Sequence, residues 1–201
     1  MATQNPSAKL VILRHAHTLH NGPPKRFQGR LDVSLSEKGF AQVRAEKPKY
    51  TWVKRVVASP ALRVQQTVQT LFEDRDCLPP ITNDENLWEI DNGWFSDKLV
   101  DEVRKIDANH LQTWFDNPAD INPGGGENLL DMLTRANCAL KKIEALGMDG
   151  TLVATHGGII RVLMLALNDL SLNDFHKLDV GNLHALTLCV NDMNKLKFIP
   201  H

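Results

Sequence analysis

Short apolar runs alternate along the chain with longer segments in which apolar residues recur at helical spacing. The runs at residues 10–13 (Leu-Val-Ile-Leu), 53–58 (Val-Lys-Arg-Val-Val-Ala) and 151–155 (Thr-Leu-Val-Ala-Thr) are rich in β-branched residues and read as strands buried on both faces. Residues 184–190, 195–199 and a short stretch after Pro79-Pro80 read as further strands. Between them, Ser34 with Glu37 three residues on resembles a capping box opening a helix that runs to Glu46 and stops at Pro48. A second helix follows Ser59-Pro60, the serine capping it, with Leu62, Val64, Val68, Leu71 and Phe72 toward the core. Two short helices are predicted over 96–106 and 109–115, with Leu99, Val100, Val103, Ile106, Leu111, Trp114 and Phe115 facing inward. A long helix over 127–146 turns Leu129, Leu130, Leu133, Ala136, Leu140 and Ile143 inward and closes at Gly147, and another covers 159–167. Strands alternating with helices define an α/β fold with a mostly parallel central sheet.

Polar residues stand where the predicted strands end. Arg14-His15 follow the first, Ser59 with Arg63 the second, and His156-Gly157-Gly158 the third. In a parallel sheet such ends share one edge, where open α/β sheets bind ligands. Arginine presents a fork of donors suited to phosphate, and histidine is a base or nucleophile near neutral pH. An isolated Arg-His pair is a common dipeptide and would sooner be read as a strand ending at the surface; three segments converging on one edge favour an anion pocket, aided by helix N-termini. The loop over 19–33 is long for a compact domain, and such loops are commonly functional. Glu89, in the loop over 87–94, is positioned to supply a proton. A metal reading of His15, His17 and His20 is disfavoured, because carboxylate ligands are missing nearby and Arg14 would repel a divalent cation.

Composition narrows the classes. Of 201 residues 42% are hydrophobic and 23% charged, the balance of an ordinary globular chain, and a formal net charge of −1 implies no general affinity for nucleic acid or anionic membrane. No stretch approaches the length of a membrane span, and the polar first eight residues show no signal peptide. Cys77, Cys138 and Cys189 are far apart, with no Cys-x-x-Cys, so a reduced cytoplasmic protein with buried or inert thiols is expected.

The ordered motifs resemble those of the histidine phosphatase superfamily, which includes the cofactor-dependent phosphoglycerate mutases. They are Arg14-His15-Ala16-His17-Thr18-Leu19-His20-Asn21, Arg26-Phe27-Gln28-Gly29, Ser59-Pro60-Ala61-Leu62-Arg63 with Gln66-Thr67, Leu87-Trp88-Glu89-Ile90-Asp91 with Gly93-Trp94, Gly125-Gly126-Glu127 and Thr155-His156-Gly157-Gly158. The resemblance implies a three-layer sandwich, one domain over 1–201 with a small helical lid inserted at about 90–125. It implies His15 as the nucleophile forming a phosphohistidine, and Glu89 as the acid that protonates the leaving oxygen and then activates water. Arg14, Arg63 and His156 would hold the phosphate, His156 as a cation. Asn21, Arg26, Gln28, Gly29 and Gly157 would complete the phosphate and substrate contacts. No metal or other cofactor is required, because the arginines supply the positive charge.

Ala16 and His17 replace the family's glycine and acidic residue, Trp94 lacks the usual Glu-Gly after it, and Asn128 replaces a common serine. These departures bear on the substrate more than on the chemistry. The lid segment is short and its charges nearly balance, whereas a mutase must retain a bisphosphate and exclude water. The expected function is therefore hydrolysis of a small phosphorylated metabolite, as in the compact α-ribazole phosphatases and metal-independent phosphoserine phosphatases, with a slight lean to the latter. Mutase-type phosphoryl transfer and a catalytically silent phosphate-binding regulator are the alternatives. The last two strands offer an edge for a homodimer.

Overall fold

In a computed structural model, residues 10–190 and 196–199 are described. Six strands form one sheet: β1 (Leu10–Arg14), β2 (Arg55–Ala58), β3 (Ile81–Asn83), β4 (Thr151–Thr155), β5 (Ala185–Val190) and β6 (Leu196–Ile199). Their order is β3-β2-β4-β1-β5-β6. β1 to β4 pair in parallel and β5 alone runs against its neighbours, so the sheet is mostly parallel, as the strand–helix alternation requires. β5 lies inside the sheet; of the two strands offered for dimerisation, only β6 borders it.

Side chains alternate across the buried strands and create two cores. Val11, Leu13, Val56, Ala58, Leu152 and Ala154 meet α1 (Glu37–Glu46) and α2 (Leu62–Phe72) on one face. Leu10, Ile12, Val57 and Val153 meet α5 (Leu129–Leu146) and α6 (Gly157–Leu167) on the other. The result is the three-layer sandwich. Two short helices, α3 (Val100–Ile106) and α4 (Ala108–Asp116), precede α5.

Register aligns the strand ends. Arg14 pairs with Thr155, the His15 amide donates to the Thr155 carbonyl at 3.0 Å, and the Ser59 amide donates to the Ala154 carbonyl at 2.9 Å. His15, Ser59 and His156 thus leave the sheet side by side.

Several local expectations are corrected. The cap of α1 is Ser36, whose Oγ accepts from the Gly39 amide, not Ser34. Pairing of Thr18 with Leu35, and of the Ser36 amide with the His17 carbonyl, holds the chain extended until Ser36. Ser59 is not the cap of α2; Ala61 holds that position, and Ser59 Oγ meets His156 Nε2 at 2.8 Å. Leu62, Ile106, Phe115 and Leu130 are exposed rather than inward, while Arg63 and Met132 are fully buried. Arg63 can be buried because loop carbonyls accept its donors. Cys77 and Cys138 are free and exposed, not buried, and the side chain of Cys189 lies outside the described residues. The first nine residues, on which the leader expectation fell, also lie outside them.

Candidate active site

Arg14, His15, Asn21, Arg26, Gln28, Gly29, Arg63 and Glu89 line one cavity of about 200 Å³. This is below the roughly 300–1,000 Å³ typical of pockets for drug-sized ligands and suits a small metabolite. His15 is buried at its floor. Its Nδ1 lies 2.7 Å from the Ala16 carbonyl, which can only accept, so Nδ1 carries the proton and Nε2 keeps its lone pair. Burial, then Arg63 and Arg14, hold the ring's pKa well below 6.5, so His15 is neutral near pH 7. Ala16 is fixed by the hydrogen bond its amide donates to Thr67 Oγ1 at 3.1 Å.

His156 sits beside it, ring centroids 5.4 Å apart, with the Trp88 ring stacked on its other side at 6.3 Å. The expectation of a cationic His156 does not hold. Full burial, then the charges of Arg63, Arg135 and Arg14, push its pKa well below 6.5. A neutral ring contributes hydrogen bonding rather than charge. His156 forms the wall behind His15, and Gly157 packs beneath Arg14, where a Cβ would lie 3.3 Å from Nε. Gly158 is the member of that turn that lines the cavity. Its amide donates to Glu89 Oε2 at 3.2 Å, and any Cβ there would collide with Glu89.

The arginines are held by backbone carbonyls. Arg63 donates from Nη1 to Leu31 at 2.7 Å and from Nη2 to Gly29 at 2.8 Å, which fixes the loop carrying Gln28. Gly29 adopts φ +50°, a left-handed conformation that glycine accommodates without strain. Burial lowers the Arg63 pKa to about 10, which leaves it a cation. Arg14 Nη1 donates to Val180 at 2.5 Å. The Nε groups of Arg14 and Arg63 and the Oε1 of Gln28 are buried without hydrogen-bond partners. The two Nε donors call for an anionic acceptor, whereas Gln28 Oε1 calls for a donor. Asn21 Oδ1 accepts from the Thr18 amide at 3.0 Å and from Asn182 Nδ2 at 3.1 Å, so its own Nδ2 is the group available to a ligand.

The long loop is pinned across the cavity mouth. Phe27 exchanges backbone hydrogen bonds with Lys98 (3.0 Å) and Asp97 (2.9 Å), and Arg26 Nη1 donates to the Asp97 carbonyl at 2.5 Å. His20 and His17 are tethered, His20 to Asp97 at 3.1 Å and His17 Nδ1 to Ser36 Oγ at 2.8 Å.

Glu89 is placed by a clamp invisible in the linear chain. Arg135 of α5 donates from Nε and Nη2 to the Glu127 carboxylate at 2.6 and 2.8 Å. Its remaining donors reach the carbonyls of Asn86 (2.8 Å), Trp88 (2.5 Å) and Glu89 (3.2 Å). The Glu127 amide in turn donates to the Asp91 carbonyl at 2.9 Å, and a Cβ at Gly126 would strike that carbonyl, so the backbones touch. Replacing Arg135 with alanine should therefore lower kcat by about 10²-fold through misplacement of Glu89. Inhibition by inorganic phosphate should change little, because Arg135 does not line the cavity. Steady-state kinetics with a phosphate inhibition constant, on protein shown folded by circular dichroism, checks this.

Sequence reasoning missed Arg161, Asn182 and the wall of Trp114, Phe175 and His176, three of which line the cavity beside Arg161. His176, which carried no sequence signal, packs edge-on against Trp114 at 5.0 Å. The only signal for Arg161 was its position one helical turn beyond Gly157. Among the described residues, no cluster of three or more His, Cys, Asp or Glu side chains could hold a metal, and no helix is long and apolar enough to cross a membrane.

Comparison with known proteins agrees with the geometry. Residues 10–197 match the histidine phosphatase superfamily (branch 1), and the chain belongs to that family. It is 28% identical over 177 residues to phosphoserine phosphatase 1 of Hydrogenobacter thermophilus, covering 87% of this chain and 82% of that one. It is 32% identical over 184 residues to a 2,3-bisphosphoglycerate-dependent phosphoglycerate mutase of Mesorhizobium japonicum, covering 87% and 88%. Bacillus stearothermophilus YhfR superposes with a TM-score of 0.86 at 26% identity, over 96% of this chain and 95% of that one. Family and phosphatase relatives together support a phosphomonoesterase; the mutase relatives keep phosphoryl transfer as the alternative.

Proposed function

We propose that this enzyme hydrolyses a small phosphorylated metabolite through a phosphohistidine on His15. The observation that carries the reading is a buried, neutral histidine with its Nε2 lone pair free, beside two buried arginine Nε donors without partners. Arg14 and Arg63 hold the charge of the phosphoryl oxygens, which carry the charge in transfer, and His156 and Asn21 Nδ2 add hydrogen bonds. Gln28 and Gly29 shape the pocket, Arg26 guards its mouth and Gly157 backs Arg14. In the first step His15 Nε2 bonds to phosphorus as the ester P–O bond breaks, and Glu89 gives its proton to the leaving oxygen. In the second, water attacks phosphorus, Glu89 takes the proton back, the P–N bond breaks and phosphate departs. The metal is dispensable in this scheme because the arginines supply the cationic charge.

The chain reads as one domain with residues 90–125 as the lid, since Ile90, Asn92 and Trp114 from that stretch line the cavity. A cytoplasmic location and a homodimer through the β6 border extend the same reading. The test is phosphate release from small phosphomonoesters with a chelator present, with isomerisation of 3-phosphoglycerate followed in parallel. Turnover in chelator supports the scheme. Isomerisation outrunning release would move the chain to the mutases, and activity restored only by metal would overturn the scheme.

A further inference from the structure

The cavity holds more positive charge than the proposed chemistry uses. Arg26 is offset by Asp97 at 3.8 Å. Arg14, Arg63 and Arg161 remain, with Glu89 as the carboxylate among the lining residues. When Glu89 carries the proton destined for the leaving oxygen, three guanidinium groups face a phosphate dianion and one positive charge is left over.

Arg161 is that surplus. It is fixed in place: Nε donates to the Leu178 carbonyl at 2.9 Å, and Cζ lies 5.4 Å from the Phe175 ring centroid. Its two Nη groups have no hydrogen-bond partner among the described residues, and the residue is half-buried against the cavity. Arg14 and Arg63 reach the cavity from β1 and α2, whereas Arg161 reaches it from α6, one turn beyond Gly157. An aromatic wall stands beside it: Phe175 lies 5.9 Å from Trp114, and both line the cavity. A cation fork beside an aromatic wall matches a short carbon skeleton that ends in a planar anion.

We propose that Arg161 recognises a carboxylate on the substrate, so that the enzyme's substrate class is phosphorylated carboxylic acids with the carboxylate a few bonds from the ester oxygen. The inference rests on the phosphomonoesterase reading of the same cavity and names its specificity residue. A carboxylate there balances the surplus charge, and the guanidinium receives it in a two-pronged hydrogen bond.

The experiment uses two substrate pairs that differ in the carboxylate: phosphoserine against phosphoethanolamine, and 3-phosphoglycerate against glycerol 3-phosphate. The wild type should prefer the carboxylate member of each pair. In Arg161→Met the ratio of kcat/KM within each pair should fall about 10- to 100-fold, the worth of a charge-assisted hydrogen-bond pair. The loss should lie mainly in KM for the carboxylate member. Arg161→Lys, which keeps the charge but not the fork, should fall between. A ratio unchanged by Arg161→Met, or a wild type without preference, would overturn the inference while leaving the hydrolase reading intact. A wild type that releases phosphate from none of the four, nor from p-nitrophenyl phosphate, would overturn the hydrolase reading and this inference with it.

Discussion

His15→Ala should reduce kcat by at least about 10⁴-fold, because the imidazole that accepts the phosphoryl group is lost and the residual rate comes from electrostatic stabilisation alone. His156 does not replace it: its Nε2 is engaged with Ser59 Oγ at 2.8 Å and its ring lies behind His15. The variant should still bind inorganic phosphate, since Arg14 and Arg63 are held by the Val180, Gly29 and Leu31 carbonyls rather than by the imidazole. Rapid acid-free quench of the wild type with labelled substrate should trap a phosphoprotein that is stable to alkali and lost in acid, absent from His15→Ala. A variant retaining a tenth of the activity would show that the nucleophile lies elsewhere.

Glu89→Gln should lower kcat for an alkyl phosphate by about 10²- to 10⁴-fold, the usual contribution of a positioned acid–base group. Glutamine can keep one of the two hydrogen bonds that Glu89 accepts, from the Ile90 amide to Oε1 at 3.0 Å or from the Gly158 amide to Oε2 at 3.2 Å, and Arg135 still grips the Asn86, Trp88 and Glu89 carbonyls, so the loop stays in place. What is lost is the proton. An aryl phosphate whose leaving oxygen needs no protonation should therefore react with His15 nearly normally in the first step and stall at hydrolysis of the intermediate. A burst of phenol followed by slow turnover is the expected trace. Equal loss on alkyl and aryl esters, with no burst, would assign Glu89 a binding role instead.

The two effects draw on different layers of the fold. His15 is set by register within the sheet: β1 ends against Thr155 of β4, and the chain turns where backbone pairing runs out. Glu89 is set from outside the sheet, by an arginine on α5 that gathers three carbonyls of its loop. The first placement needs only strands of matched length. The second needs a half-buried ion pair, Arg135 and Glu127, separated from the Glu89 loop by tens of residues in the chain.

The linear pattern was enough for the α/β class, for each strand to within about two residues, and for the polar residues at three strand ends. Periodicity and termination are local, so buried apolar runs reveal where a parallel sheet ends, and the ordered motifs carry the family. The same locality misled wherever a partner came from elsewhere. Ser34 and Ser59 look like helix caps, yet one gives way to Ser36 and the other faces His156, because pairing across the loop and across the sheet decided them. His156 looks like a useful cation, yet burial among arginines holds its ring neutral. Arg161 carries little local mark and His176 none; they matter because the fold brings Arg161 against Phe175 and His176 against Trp114 of α4. Chemistry at strand ends is written in short-range order. Charge state, the aim of Glu89 and the wall that receives the rest of the substrate arise from desolvation and long-range packing, which exist only once the chain is folded.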